Sequence, residues 1–137
     1  QTGVKWLIVL EGINDIGGIQ TSETEDSVAQ NLIAAYGKMI DAAHAKGIKV
    51  YGATIAPFAK SFYDKDFRQK ARTIVNQWIR TSGRFDAVID FDQLLENPEE
   101  PLTILPDAHT GDFLHPNEYG YKMMGESIDL KLFEDFK

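Results

Sequence analysis

Three short apolar runs alternate with three longer stretches of helical periodicity along this chain. Val4 to Leu10 is apolar except for Lys5 and is ended by Glu11-Gly12. It reads as a central strand covered on both faces, as in parallel sheets. Glu11 to Asp26 is polar, with Gly17-Gly18 inside it, and is expected to be a long loop. A helix starts at Ser27 or just before, with Val28, Leu32, Tyr36, Met39 and Ala43 on one stripe and Gly47 as the stop. Ile48 to Ile55 is the second strand, and Ala56-Pro57-Phe58 the loop after it. Asp64 is placed to cap the next helix, whose stripe is Phe67, Ala71, Ile74 and Trp78, with Gly83 past its end. Ala87 to Phe91 is a third, short strand. Asn97 to Thr110 holds prolines at 98, 101 and 106 and reads as irregular chain. Asn117 caps a final helix running to about Glu134, with Met124, Ile128 and Leu132 inward.

Strand-helix alternation of this kind predicts an α/β fold: a parallel sheet with right-handed crossovers and helices on its faces. No repeat, low-complexity tract or linker divides the chain, so residues 1–137 are expected to form one domain. In open α/β sheets, sites form at the carboxyl ends of strands. Glu11 to Asp15 follows the first strand, Ala56 to Phe58 the second, and the long connection after the third carries Asp112 and His115. All three segments fall on one edge of the sheet.

Composition narrows the function. The apolar fraction of 43% is that of a globular protein. A net charge of −7 and a pI near 4.9 argue against a general affinity for nucleic acid or anionic membranes. No run is long enough to span a bilayer. The chain has no cysteine, hence no disulfide and no thiolate metal site, and its redox compartment stays open. A chain that starts with Gln1 and enters an apolar strand within four residues reads as cut from something longer.

Two motifs carry chemistry. In Gly111-Asp112-Phe113-Leu114-His115-Pro116-Asn117, a carboxylate stands three residues before an imidazole. His115 can act as a general base, with Asp112 fixing its tautomer and orientation. The plainer alternative is a solvated loop entering a helix. In Gly12-Ile13-Asn14-Asp15, Gly12 permits a tight turn and the Asn14 amide can donate to an oxyanion on an acyl carbon. Asp15 can bond nearby backbone amides and hold the loop. The alternative here is an Asx-type turn.

Taken together, Leu10 to Asp15 and Asp112 to Asn117, followed by Gly120-Tyr121, resemble the SGNH, or GDSL-type, hydrolases. These are esterases and acylhydrolases on a three-layer, flavodoxin-like α/β fold. The resemblance covers essentially the whole chain. It implies Asn14 as oxyanion-hole donor, His115 as catalytic base, Asp112 as its partner, and Gly12 and Asp15 as shapers of the oxyanion loop. It implies ester hydrolysis on a small acyl ester, with no cofactor. The family's G-D-S nucleophile block and the Gly of its second block are not in this sequence. The chain begins at what would be the family's third strand, so the nucleophile and the first strands are expected on a separate N-terminal piece. That piece, or a second copy, is expected to pair with Val4 to Leu10.

Several residues compete with this reading. Gly125-Glu126-Ser127 superficially resembles G-D-S but falls mid-helix, so Ser127 is a poor nucleophile. Ser22 and Ser27 read as loop and cap residues, and Ser61 and Ser82 have no motif around them. Asp107, His109, Asp112 and His115 lie within nine residues and suggest, as a rival, a metal-dependent hydrolase. A third reading is a non-catalytic α/β binding module. His44 is expected at a helix end, Trp6 and Trp78 in packing, and Glu11 beside the oxyanion loop as anchor or substrate contact.

Overall fold

The computed structural model describes residues 2–134. Three strands, β1 (Trp6–Val9), β2 (Lys49–Ala53) and β3 (Ala87–Ile89), form a parallel sheet in the order β1-β2-β3. Ile8 pairs with Tyr51, and Tyr51 with Ala87. The helices are α1 (Ile13–Gly17), α2 (Glu25–His44), α3 (Asp66–Thr81), α4 (Phe91–Leu95) and α5 (Glu118–Ser127), followed by a 3₁₀ turn over Leu130–Phe133.

Alternation along β2 divides the interior into two cores. Val50 points with Val9 into a core shared with Leu32, Tyr36 and Ile40 of α2 and Ala71, Val75 and Ile79 of α3. Tyr51 and Ala53 point the other way with Ile89, against Phe91 and Leu95 of α4 and Met124 of α5. The architecture is therefore helices, sheet, helices. Each fully buried Leu, Ile or Val in these cores stabilises by about 1.5–3 kcal/mol.

A polar network fixes the segment after β2. Asn76 of α3 brackets Ile55, accepting from its N–H at 2.8 Å and donating to its carbonyl at 2.9 Å. Arg80 grips Asp90 with two bonds of 2.7 Å and reaches Asp92 at 2.8 Å, while Arg72 pairs with Asp92. Thr54 donates to Asp90 at 2.8 Å and accepts from the N–H of Asp92 at 2.9 Å. Thus α3, the β2 end and the start of α4 are tied where the candidate site lies.

The structure corrects several expectations. β1 is not a central strand: it stands at the sheet's edge, with Leu7 and Ile8 38% and 39% exposed. The stretch expected as loop contains α1, too short to show a period. The stripe of α2 is rotated, with Ala29 and Ile40 buried where Val28 and Met39 are half-buried. Glu25, expected in that loop, is buried in the first turn of α2 and paired with Lys70. Asp64 does not cap α3; its carboxylate accepts from Lys60 and Gln69, and Lys65 stands at the N-cap. β3 stops at Ile89 because Asp90 caps α4 through the Gln93 N–H. α5 ends at Ser127, not near Glu134: Ile128 is extended, and Asp129 caps the 3₁₀ turn through the Lys131 N–H. Leu132 and Phe133 still fold inward; Phe133 meets Trp6 and Tyr51 edge-on at 5.8 and 5.5 Å.

Candidate active site

The turn after β1 depends on Gly12. Its φ of +119° lies where L side chains are strained, and a Cβ there would stand 2.9 Å from the Tyr36 hydroxyl. Tyr36 donates to the Glu11 carbonyl at 2.5 Å. Burial, and then the Asp15 and Glu11 carboxylates, push the Tyr36 phenol above its ordinary value, so it remains a donor. Gly12 O accepts from Ile16 N at 3.0 Å and opens α1. Asn14 is thereby exposed on the first turn of α1, where its Oδ1 accepts from the Tyr63 hydroxyl at 3.0 Å. Asp15 acts differently from expectation. Among the described residues its carboxylate bonds no backbone amide; it is exposed in the first turn of α1, where negative charge suits the helix dipole.

The second motif forms a closed loop. Asn117 donates to the carbonyls of Asp107 and His109 at 2.8 and 3.1 Å, and caps α5 by accepting from Gly120 N at 2.9 Å. Thr110 N reaches His115 O at 2.9 Å. Inside the loop, His109 Nδ1 accepts from Gly111 N and Phe113 N at 3.0 and 3.2 Å. That bond set holds Phe113 at a φ of +58°.

Asp112 explains the D-x-x-H spacing. Oδ1 accepts from the N–H groups of Leu114 and His115, each at 2.9 Å, while Oδ2 lies 2.5 Å from His115 Nδ1. One carboxylate oxygen thus shapes the turn and the other orients the ring. The His115 ring holds the Asp112 carboxyl well below the usual range; partial desolvation opposes this, and the His115 and Leu114 N–H groups and the Thr110 side chain assist. A carboxylate at Nδ1 keeps the proton there and leaves Nε2 as the basic nitrogen.

Both motifs open on one cavity of about 230 Å³, with Glu11 and Asn14 on one side, Leu114 and His115 on the other, and Ile55 to Pro57 beneath. Asp112 stands behind His115. The cavity is therefore built from the segments after β1 and β2 and the connection beyond β3. The other lining side chains are largely apolar, including Ile13, Phe91 and Met124. Such a pocket suits an uncharged organic group presented to one imidazole and one amide.

The serines lie elsewhere. Ser127 donates to Met124 O at 2.8 Å and lines a separate groove along β3. Ser61 is buried and accepts from Tyr63 N at 3.1 Å; Ser27 and Ser82 bond within their own turns. Ser22 lies in an exposed turn. The metal-ligand set is not assembled: among the described residues no three His, Asp or Glu converge, and His109 Nδ1 is occupied by backbone. His44 sits exposed in the last turn of α2, bonded to Asp86 at 2.8 Å. Tyr63, which reaches Asn14 from 49 residues away, stands in no motif of its own. Its ring rests on Gly17, where a Cβ would lie 2.3 Å away.

Comparison with known proteins bears on the fold and the family. The model of the GDSL-like lipase/acylhydrolase family matches residues 1–123. A GDSL-like lipase from Bacteroides thetaiotaomicron superposes with a TM-score of 0.70 at 23% identity, covering 93% of this chain and 61% of that one. A protein described as a candidate acylhydrolase from Bacteroides fragilis gives 0.65 at 23%, covering 94% and 61%. This chain thus spans 61% of the length of both solved chains. No curated protein matches it. With the family model covering nearly all of the sequence and the three-layer fold shared, the chain belongs to the GDSL-like lipase/acylhydrolase family.

Proposed function

We propose that the protein to which this chain belongs is a serine esterase that hydrolyses small carboxylic esters. The observation that carries the reading is the His115–Asp112 pair, joined through Nδ1, on the same cavity as the Asn14 amide. In this reading His115 Nε2 takes the proton of a serine hydroxyl as that oxygen bonds to the acyl carbon. The Asn14 Nδ2 group donates to the oxyanion that results. His115 returns the proton to the departing alcohol as the ester C–O bond breaks. Water then releases the acyl group by the same steps, with His115 again taking and returning a proton. Asp112 keeps the ring in place throughout, and Gly12 shapes the turn that presents Asn14. The reaction requires no cofactor.

We place the nucleophilic serine on a segment outside this chain, because none of the described serines borders the cavity that holds His115 and Asn14. The same segment, or a second copy, covers the open edge of β1, so that residues 1–137 act as the C-terminal part of one SGNH domain. The apolar lining favours an uncharged acyl or alcohol group. The test is hydrolysis of p-nitrophenyl acetate by the intact protein. His115→Ala is expected to lower kcat by roughly 10⁶-fold. Unchanged turnover in that variant, with the fold intact by circular dichroism, would refute the assignment.

A further inference from the structure

We propose that Tyr63 is a positioning residue for Asn14, its hydroxyl fixing the amide so that the Nδ2–H₂ donors face the reacting group. The role rests on the oxyanion reading above. Asn14 is exposed on a helix of five residues, and a free Asn side chain there would sample several rotamers and both amide faces. The Tyr63 hydroxyl, 3.0 Å from Oδ1, selects one of them. Because that bond occupies the carbonyl side, the NH₂ side is directed away from Tyr63. Both residues border the same cavity.

Tyr63 is itself held from several directions. Its N–H donates to Ser61 Oγ at 3.1 Å, and its carbonyl accepts from Arg68 Nη1 at 3.3 Å. The Arg68 guanidinium lies 5.8 Å from the ring centroid, and Arg68 Nε donates to the Ile19 carbonyl at 2.9 Å. The ring rests on Gly17, where any side chain would meet it at 2.3 Å. Gly17 closes the helix that carries Asn14, so the loop after β2 and the helix after β1 are fitted to one another. The ring packing would hold the two segments together without a hydroxyl. The hydroxyl adds a bond that reaches the amide.

The experiment uses the intact protein and p-nitrophenyl acetate, with Tyr63→Phe, which keeps the ring on Gly17 and removes the bond. The expected result is a fall in kcat of about three- to tenfold, the worth of one hydrogen bond, with KM unchanged. In an Asn14→Ala background Tyr63→Phe is expected to lower kcat no further. An equal loss in both backgrounds, a change confined to KM, or no change in either background would overturn the positioning role and leave the esterase reading standing. No turnover by the wild-type protein, or an Asn14→Ala variant as fast as wild type, would overturn the esterase reading and this role with it.

Discussion

Asp112 Oδ2 lies 2.5 Å from His115 Nδ1, while Oδ1 of the same carboxylate accepts both N–H groups that lead the chain to that histidine. One side chain therefore sets both the backbone path and the ring direction. The carboxyl is held below its ordinary value, chiefly by the His115 ring. A carboxyl that is more acidic in the folded than in the unfolded state contributes stability above the unfolded pKa, near 4. That contribution is lost as pH falls toward the folded pKa. Asp112→Asn should therefore flatten the dependence of stability on pH below about 4, while keeping an acceptor for the turn. Urea denaturation at pH 5 and pH 3 measures it, and an unchanged difference between the two would count against the pairing.

The D-x-x-H spacing was legible because its contacts are local: a turn and a ring reached within three residues. The same holds for Asn117, which caps α5 as read. The order of strands and helices was legible from periodicity. What lay hidden depends on distant chain. α1 and α4 are five residues each, too short to show a period. The place of β1 in the sheet is not encoded in its apolar run, since an edge strand and a covered strand can share that pattern. The contacts of Tyr63 with Asn14 and of Tyr36 with Glu11 cross 49 and 25 residues, and nothing in the local sequence announces them.

The two histidines of the loop should separate cleanly. His109 Nδ1 accepts two backbone N–H groups, so its ring is a brace. His109→Ala should cost about 1–2 kcal/mol of stability and less than tenfold in kcat. His115→Ala should remove nearly all turnover, and its cost in stability should be confined to the bond with Asp112. Urea midpoints and kcat measured on both variants decide the matter. A His109→Ala variant as inactive as His115→Ala would return His109 to the chemistry.

Two glycines of positive φ offer a matched comparison. An Ala at Gly111 would meet nothing within 4 Å, so its cost is backbone strain alone. An Ala at Gly12 adds contacts of 2.9 Å to Tyr36 and 3.1 Å to Ile55. Strain of this kind costs about 1–3 kcal/mol. Gly12→Ala should exceed Gly111→Ala in lost stability and should also lower kcat of the intact protein by displacing Asn14. Equal denaturation midpoints for the two variants would mean that the turn at Gly12 yields easily and does not fix the amide.

The edge of β1 bears on assembly. β1 pairs with β2 on one side, and its other side faces away from the described sheet. Val4, Leu7, Ile8 and Leu10 are each 38–43% exposed, so both the edge and its flanking side chains are apolar. Edge strands that stay single are usually blunted by Pro, a bulge or inward charge. This one has Lys5 just before it and no such feature within Trp6–Val9. Pairing with another strand would satisfy its remaining N–H and C=O groups and cover the exposed Leu7 and Ile8. This chain on its own should therefore self-associate in solution. A peptide carrying the further strand proposed above, added in trans, should compete with that association. Ile8→Lys should weaken it by placing a charge among the exposed apolar side chains. Light scattering across a range of concentrations reads all three outcomes. A monodisperse monomer at every concentration, with Ile8→Lys indistinguishable from wild type, would show that β1 needs no partner.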